Sequence, residues 1–286
     1  MSKKFFICFI TALLSNPAWS IDEKNGYVSM GKLVQQGLLD VKVEMLHKLK
    51  NGLNVTLENK TADSLKVWIE PGRRFVAKDS VYQDWFIGDE RMITIVPLGT
   101  VEQDLLGFCC QVHDHGPADG AQYDIGYMAP DSWIRLATLI HQNDFPYSAS
   151  QHAVWCLSDS LPVSSIYSED EKLVRPLRQL VCNVKGEQMP WYMLSYQKDT
   201  ARLFSNIPER LLGTVEYYLR NDAVVTINIR SSTGEVVTVL AKESGMGPGM
   251  HKLPVDLNVK GWPKGKYDLM IYTDYAKLVS KSTFIL

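Results

Sequence analysis

What most limits the fold of this chain is a succession of short alternating segments, each closed by a turn residue. "LNVTLENKT", "LKVWIEPG", "DWFI", "MITIVPLG" and "DLLGFCCQV" follow one another between residues 53 and 112. Successive side chains of a strand point to opposite faces, so apolar–polar alternation marks a strand with one face buried. Asn59-Lys60-Thr61 and Pro71-Gly72 supply the turns. Short strands at regular intervals build an antiparallel β-sandwich.

The period then changes. "PDSWIRLATLIHQND" places Trp133, Leu136, Leu139 and Ile140 on one helical face, with Asp131 or Ser132 as N-cap. "SASQHAVWCLSDS" reads as a second short helix entered from Pro146, and Met30 to Leu38 as a short one near the start. In "SEDEKLVRPLRQLVCNV" the helical pattern is interrupted by Pro176. From "GTVEYYL" to "LVSKSTFIL" the alternation returns, with turns at Ser232-Thr233-Gly234 and "GMGPG".

The expected class is therefore mainly β: an N-terminal β-sandwich with a few packed helices, then a C-terminal immunoglobulin-like β-sandwich. The boundaries are a leader at residues 1–20, a sandwich at 21–162, a linker with a short helix and strand at 163–206, and a second sandwich at 207–286. The leader is read from Lys3-Lys4, the apolar run Phe5 to Leu14 and the small-x-small exit Ala18-Trp19-Ser20. It places the mature protein outside the cytoplasm, in the periplasm, at the cell surface or secreted. No later stretch is long and apolar enough to span a bilayer as a helix. A net charge of −2 gives no electrostatic case for nucleic acid.

Cys8 leaves with the leader, and Cys109, Cys110, Cys156 and Cys182 remain. In an oxidising compartment an even count favours disulfides, with Cys109 pairing to Cys156 or Cys182. Alternation along "LLGFCCQVH" puts Leu106, Phe108, Cys110 and Val112 on one, wholly apolar face, which makes Cys110 a core thiol. Cys109 falls on the other face and is the sulfur left available. No metal or other cofactor is expected, although His113 and His115 flank Asp114, with His141 or His152 as possible further ligands. A cysteine hydrolase would use Cys109 as nucleophile, His113 or His152 as base and Asp159 as orienter.

Two resemblances add to these readings. The hairpin "VTINIRSSTGEVV" and the following "GMHKLPVDLNVKGWPKGKYDLMIY" resemble the immunoglobulin-like C-terminal domains of flagellar-hook capping proteins and the cargo domains of type IX secretion. The cargo domains often end in a basic tail, whereas this chain ends "STFIL". "NKT", "LKVWIEPGRRF", "FCCQVHDHGP" and "SQHAVWCLSD" resemble an uncharacterised group of bacterial exported sandwich domains. The last two also resemble the paired motifs of thioester adhesin domains, aromatic-Cys-apolar on a strand and Gln-x-x-apolar-aromatic on a helix. That resemblance implies a bond between the Cys109 sulfur and the Gln151 side chain, shielded by Val154 and Trp155. Without the bond, Gln151 is a helix-end amide bonding nearby backbone.

The expected function is binding or assembly at the cell surface without catalysis, toward a protein or a glycan. Covalent capture of target amines by Cys109 and Gln151 is one alternative, and the hydrolase is the other.

Overall fold

The computed structural model describes residues 22–46, 52–198, 204–274 and 277–286. The leader expected at 1–20 lies outside them. Chain order begins with β1 (Glu23–Lys24), β2 (Tyr27–Ser29), the short helix α1 (Met30–Gln35), β3 (Leu39–Met45), β4 (Gly52–Asn59) and β5 (Leu65–Ile69). Next come β6 (Arg73–Ala77), β7 (Trp85–Ile87), β8 (Arg91–Ile95), β9 (Thr100–Cys109) and β10 (Gln122–Met128). Three α-helices follow: α2 (Asp131–His141), α3 (Tyr147–Ser158) and α4 (Glu171–Lys185). The C-terminal strands are β11 (Tyr192–Tyr196), β12 (Pro208–Leu219), β13 (Ala223–Ser231), β14 (Val236–Met246), β15 (Gly249–Asn258), β16 (Lys266–Thr273) and β17 (Lys277–Ile285).

The chain is mainly β, as its alternation predicts. Its N-terminal strands form two sheets. One has the order β1-β2-β5-β8, and the other closes on itself as a barrel, β10-β3-β4-β9-β7-β6. Closure depends on β10, which pairs with β3 through Tyr123↔Val43 and with β6 through Ile125↔Phe75. A closed sheet has no edge to protect, and its interior here holds Leu53, Val55, Leu57, Phe75 and Leu105.

Outside the barrel, α2, α3 and α4 cover the outer side of β7 and β9. Phe86 and Phe108 from those strands pack with Leu136, Ile140, Val154, Leu177 and Val181 of the helices. Helix α2 buries the predicted face, though it is entered from Pro130 with no side-chain cap bond. Helix α4 runs straight through Pro176. Pro176 and Lys172 are both exposed, so the Lys172 carbonyl that loses its partner lies on the solvent side of the helix. Gly186, at φ 68°, ends that helix in the left-handed conformation.

The C-terminal sandwich packs β11-β12-β15 against β14-β13-β16-β17. Its first strand comes from the expected linker: β11 pairs with β12 from Tyr192↔Gly213 onward. Trp191 Nε1 donates to the Thr283 carbonyl at 2.8 Å, tying this strand to β17 across the sandwich. Arg178 of α4, fully buried, donates to the carbonyls of Pro190 and Tyr192 and so joins the helical layer to the sandwich.

Candidate functional site: Cys109 and Gln151

Strand β9 extends past the described part of one neighbour. On one side β7 stays beside it to the end, with Trp85↔Cys109 in register. On the other side the described part of β4 ends at Gly52, opposite Leu106. Past that point no described strand pairs with the Gly107 carbonyl or with the N–H and C=O of Cys109. A buried peptide group left unpaired is costly, and α3 supplies the missing partners.

Tyr147, Gln151 and Trp155 recur every fourth residue and share one face of α3. Tyr147 Oη donates to the Gly107 carbonyl at 3.1 Å. Gln151 Oε1 accepts from the Cys109 N–H at 2.9 Å, and Gln151 Nε2 donates to the Cys109 carbonyl at 2.8 Å. The side-chain amide thus mimics the peptide group of an adjacent strand. Tyr147 Oη also lies 3.3 Å from Gln151 Oε1 as a second donor, while its ring stacks on Phe108 at 5.1 Å.

The two sulfurs point to opposite sides of β9, as alternation predicts, but neither is exposed. Cys109 joins the barrel core with Trp85, Tyr123 and Trp155, and Cys110 joins the core under the helices. The expectation that Cys109 is left available is corrected on this point. Alternation assumes that the second face meets water, yet at the end of β9 the barrel interior covers one side and the helical layer the other. Close packing reaches the backbone: a Cβ on Gly107 would stand 2.5 Å from the Trp85 ring.

The expected disulfide from Cys109 to Cys156 or Cys182 is also corrected. All four cysteines are free and buried. Cys156 and Cys182 sit in the helical core with Cys110, across the strand from Cys109. Burial pushes the thiols of Cys109, Cys110 and Cys156 up to about 12, so all three carry their protons at neutral pH.

The hydrolase set is not assembled. His113 is exposed. His152 faces away from β9, among Trp155, Tyr196 and Phe204, and burial lowers its imidazole to about 4. Asp159 accepts from Ser158 Oγ. No hydrogen bond or ion pair links Cys109 to any of the three among the described residues. His113 and His115 are both exposed, and their segment is held by backbone: Gln83 N–H donates to the His115 carbonyl, and Gln83 Nε2 to that of Asp114. Among the described residues no group of three His, Cys, Asp or Glu side chains is placed to hold a metal. His141 stands 3.9 Å from Asp89 and faces a separate cavity.

Tyr147 is the member of the site that sequence reading misses. Its only signal is the four-residue step to Gln151.

No family model and no curated protein matches this chain. Solved structures of the CBM51-2 and INT domains of Clostridium perfringens ZmpB, one in complex with GlcNAc, share 11% and 9% sequence identity with it. Each comparison covers 86% of this chain and 77% of the other, with TM-scores of 0.19 and 0.18. Likeness at that level carries no argument about fold or function. Among the described residues no helix is long and apolar enough to cross a membrane.

Proposed function

We propose that this protein is an exported, non-catalytic binding protein that attaches covalently to amine-bearing partners through a thioester between Cys109 and Gln151. The observation that carries the reading is the seating of the Gln151 amide on both backbone groups of Cys109. Two residues 42 apart, paired at the sequence level by their motifs alone, meet in a buried site.

The chemistry follows from that seating. The Cys109 sulfur attacks the amide carbon of Gln151, and the C–N bond breaks. The thiol proton leaves with the nitrogen, so ammonia is the only product released. Charge develops on Oε1, where the Cys109 N–H and the Tyr147 hydroxyl already converge. Donors fixed beforehand at a developing oxyanion are a large source of rate. Because the thiolate is the nucleophile and burial keeps Cys109 protonated, its proton must pass to the Gln151 nitrogen as the C–S bond forms, which makes ammonia the leaving group. Trp85, Tyr123 and Trp155 then keep water from hydrolysing the product. A partner amine attacking the same carbon would form a stable amide and return the Cys109 thiol.

Amine trapping tests this reading. Native protein incubated with methylamine should take up one equivalent, mapped to Gln151 by peptide mass spectrometry. Cys109→Ala and Gln151→Ala should take up none. Labelling that persists in Cys109→Ala would mean that the sulfur plays no part.

A further inference from the structure

A cavity of about 690 Å³ lies between the small β1-β2-β5-β8 sheet, the end of β10 and helix α2, apart from the cysteine site. Its walls are mainly apolar, with Trp68, Pro71, Tyr127 and Ile134 among them. Pockets of this size with a few convergent polar groups are the usual form of small-molecule sites.

The polar groups are prearranged. Trp68 Nε1 donates to Glu90 Oε1 at 2.8 Å, and Lys24 Nζ reaches the same oxygen at 2.5 Å while standing 5.7 Å above the indole ring. Lys24, Glu90 and Trp68 therefore satisfy one another. Glu70 differs. It is 2% exposed, and its Oε1 accepts from Ser29 Oγ and Arg73 Nη2. Its Oε2 is buried with no hydrogen-bond partner among the described residues. Such a lone acceptor is costly, and a ligand donor would recover that cost.

Glu70, Glu90 and Asp131 line the cavity with Lys24 and Arg135, and the buried Arg73 pairs with Glu70 behind the wall, so the charges balance and the open place for a donor is at Glu70 Oε2. His141 also lines it, beside Asp89. We propose that this cavity binds a small amphipathic amine, its flat apolar body against Trp68 and Ile134 and its ammonium donating to Glu70 Oε2. The site is independent of the thioester, and each can fail without the other.

Calorimetric titration of the full mature protein, treated beforehand with methylamine so that any thioester is spent, tests the site. Three probes share an indole body: tryptamine, tryptophol and indole-3-acetate. Tryptamine should bind at least about tenfold more tightly than either of the others, as expected where a charged donor meets a buried carboxylate. Thr138→Phe, which fills the cavity from α2 without touching Glu70, should weaken tryptamine by at least about tenfold. Ile134→Trp gives the same reading if Thr138→Phe does not fold. Equal or tighter binding of tryptophol or indole-3-acetate would overturn the proposal, as would unchanged affinity in the filled variant or no heat with any probe.

Discussion

At the residue scale, one amide finishes a strand edge and, under the proposed thioester, supplies the carbon that the Cys109 sulfur attacks. Substitutions separate these roles. Gln151→Ala orphans the N–H and C=O of Cys109, and each buried group left unpaired costs about 1–3 kcal/mol. Cys109→Ala leaves those bonds in place and removes only a small buried side chain. Urea unfolding should therefore show the larger loss for Gln151→Ala, although both variants abolish amine uptake. Tyr147→Phe keeps the ring on Phe108 and removes the one hydroxyl proton that Oε1 and the Gly107 carbonyl share. It should slow amine uptake while lowering stability by about 1 kcal/mol.

The same scale sets a dependence on pH. Cys110 and Cys156 ionise near 9.0 when unfolded and are pushed up to about 12 by burial, so the folded state holds their protons more tightly. Their contribution is complete below pH 9 and is lost as pH rises toward 12, at about 1.4 kcal/mol per thiol per pH unit. Cys109 adds to this loss only when it is not acylated. His152 acts at the other end: its folded value near 4 lies below the ordinary 6.5, so its contribution is present above pH 6.5 and lost as pH falls toward 4. Denaturation midpoints across pH should fall at both ends, and His152→Gln should flatten the acid limb.

At the element scale, the strands β4, β5, β8 and β9 are legible as alternating segments, and the apolar face of α2 is legible at helical spacing. What the sequence hides is contact made at long range. Nothing in "QYDIGYM" says that β10 joins β3 to β6, and that junction turns a sheet into a barrel. Because the barrel has an inside and the helices cover its outside here, the end of β9, Gly107 to Cys109, is buried on both faces, and the rule that separates Cys109 from Cys110 gives the direction of each sulfur without its exposure. Pro176 misleads for a local reason: on an exposed helical face the missing hydrogen bond is replaced by water. The apposition of Cys109 and Gln151 is legible only through paired motifs, since no spacing along the chain implies it. Phe108 and its helical neighbours hold that apposition, so Phe108→Ala should cost about 3–5 kcal/mol in chemical denaturation.

At the scale of the whole molecule, the helical layer and the C-terminal sandwich are joined through Arg178 and through β11. Strand β11 belongs to the sandwich by hydrogen bonding, and Tyr192 Oη reaches β17 by accepting from the Ile285 N–H at 3.0 Å. A fragment of residues 190–286 should therefore melt cooperatively and at a higher temperature than 207–286, which lacks β11 and exposes the edge of β12. Equal melting temperatures would show that β11 adds nothing to the sandwich. In the full chain, the barrel and helices hold Cys109 and Gln151 together, while Met193 of β11 and Leu212 of β12 pack into the helical core beside Arg178.

The most direct test of the central claim is the intact mass of the purified, leader-free protein, with no amine or reductant in contact with it. A thioester predicts a mass one ammonia below that of the sequence, with no free thiol at Cys109. A mass equal to that of the sequence, with Cys109 recovered as a thiol on unfolding, would contradict it and leave Gln151 as a strand-edge latch.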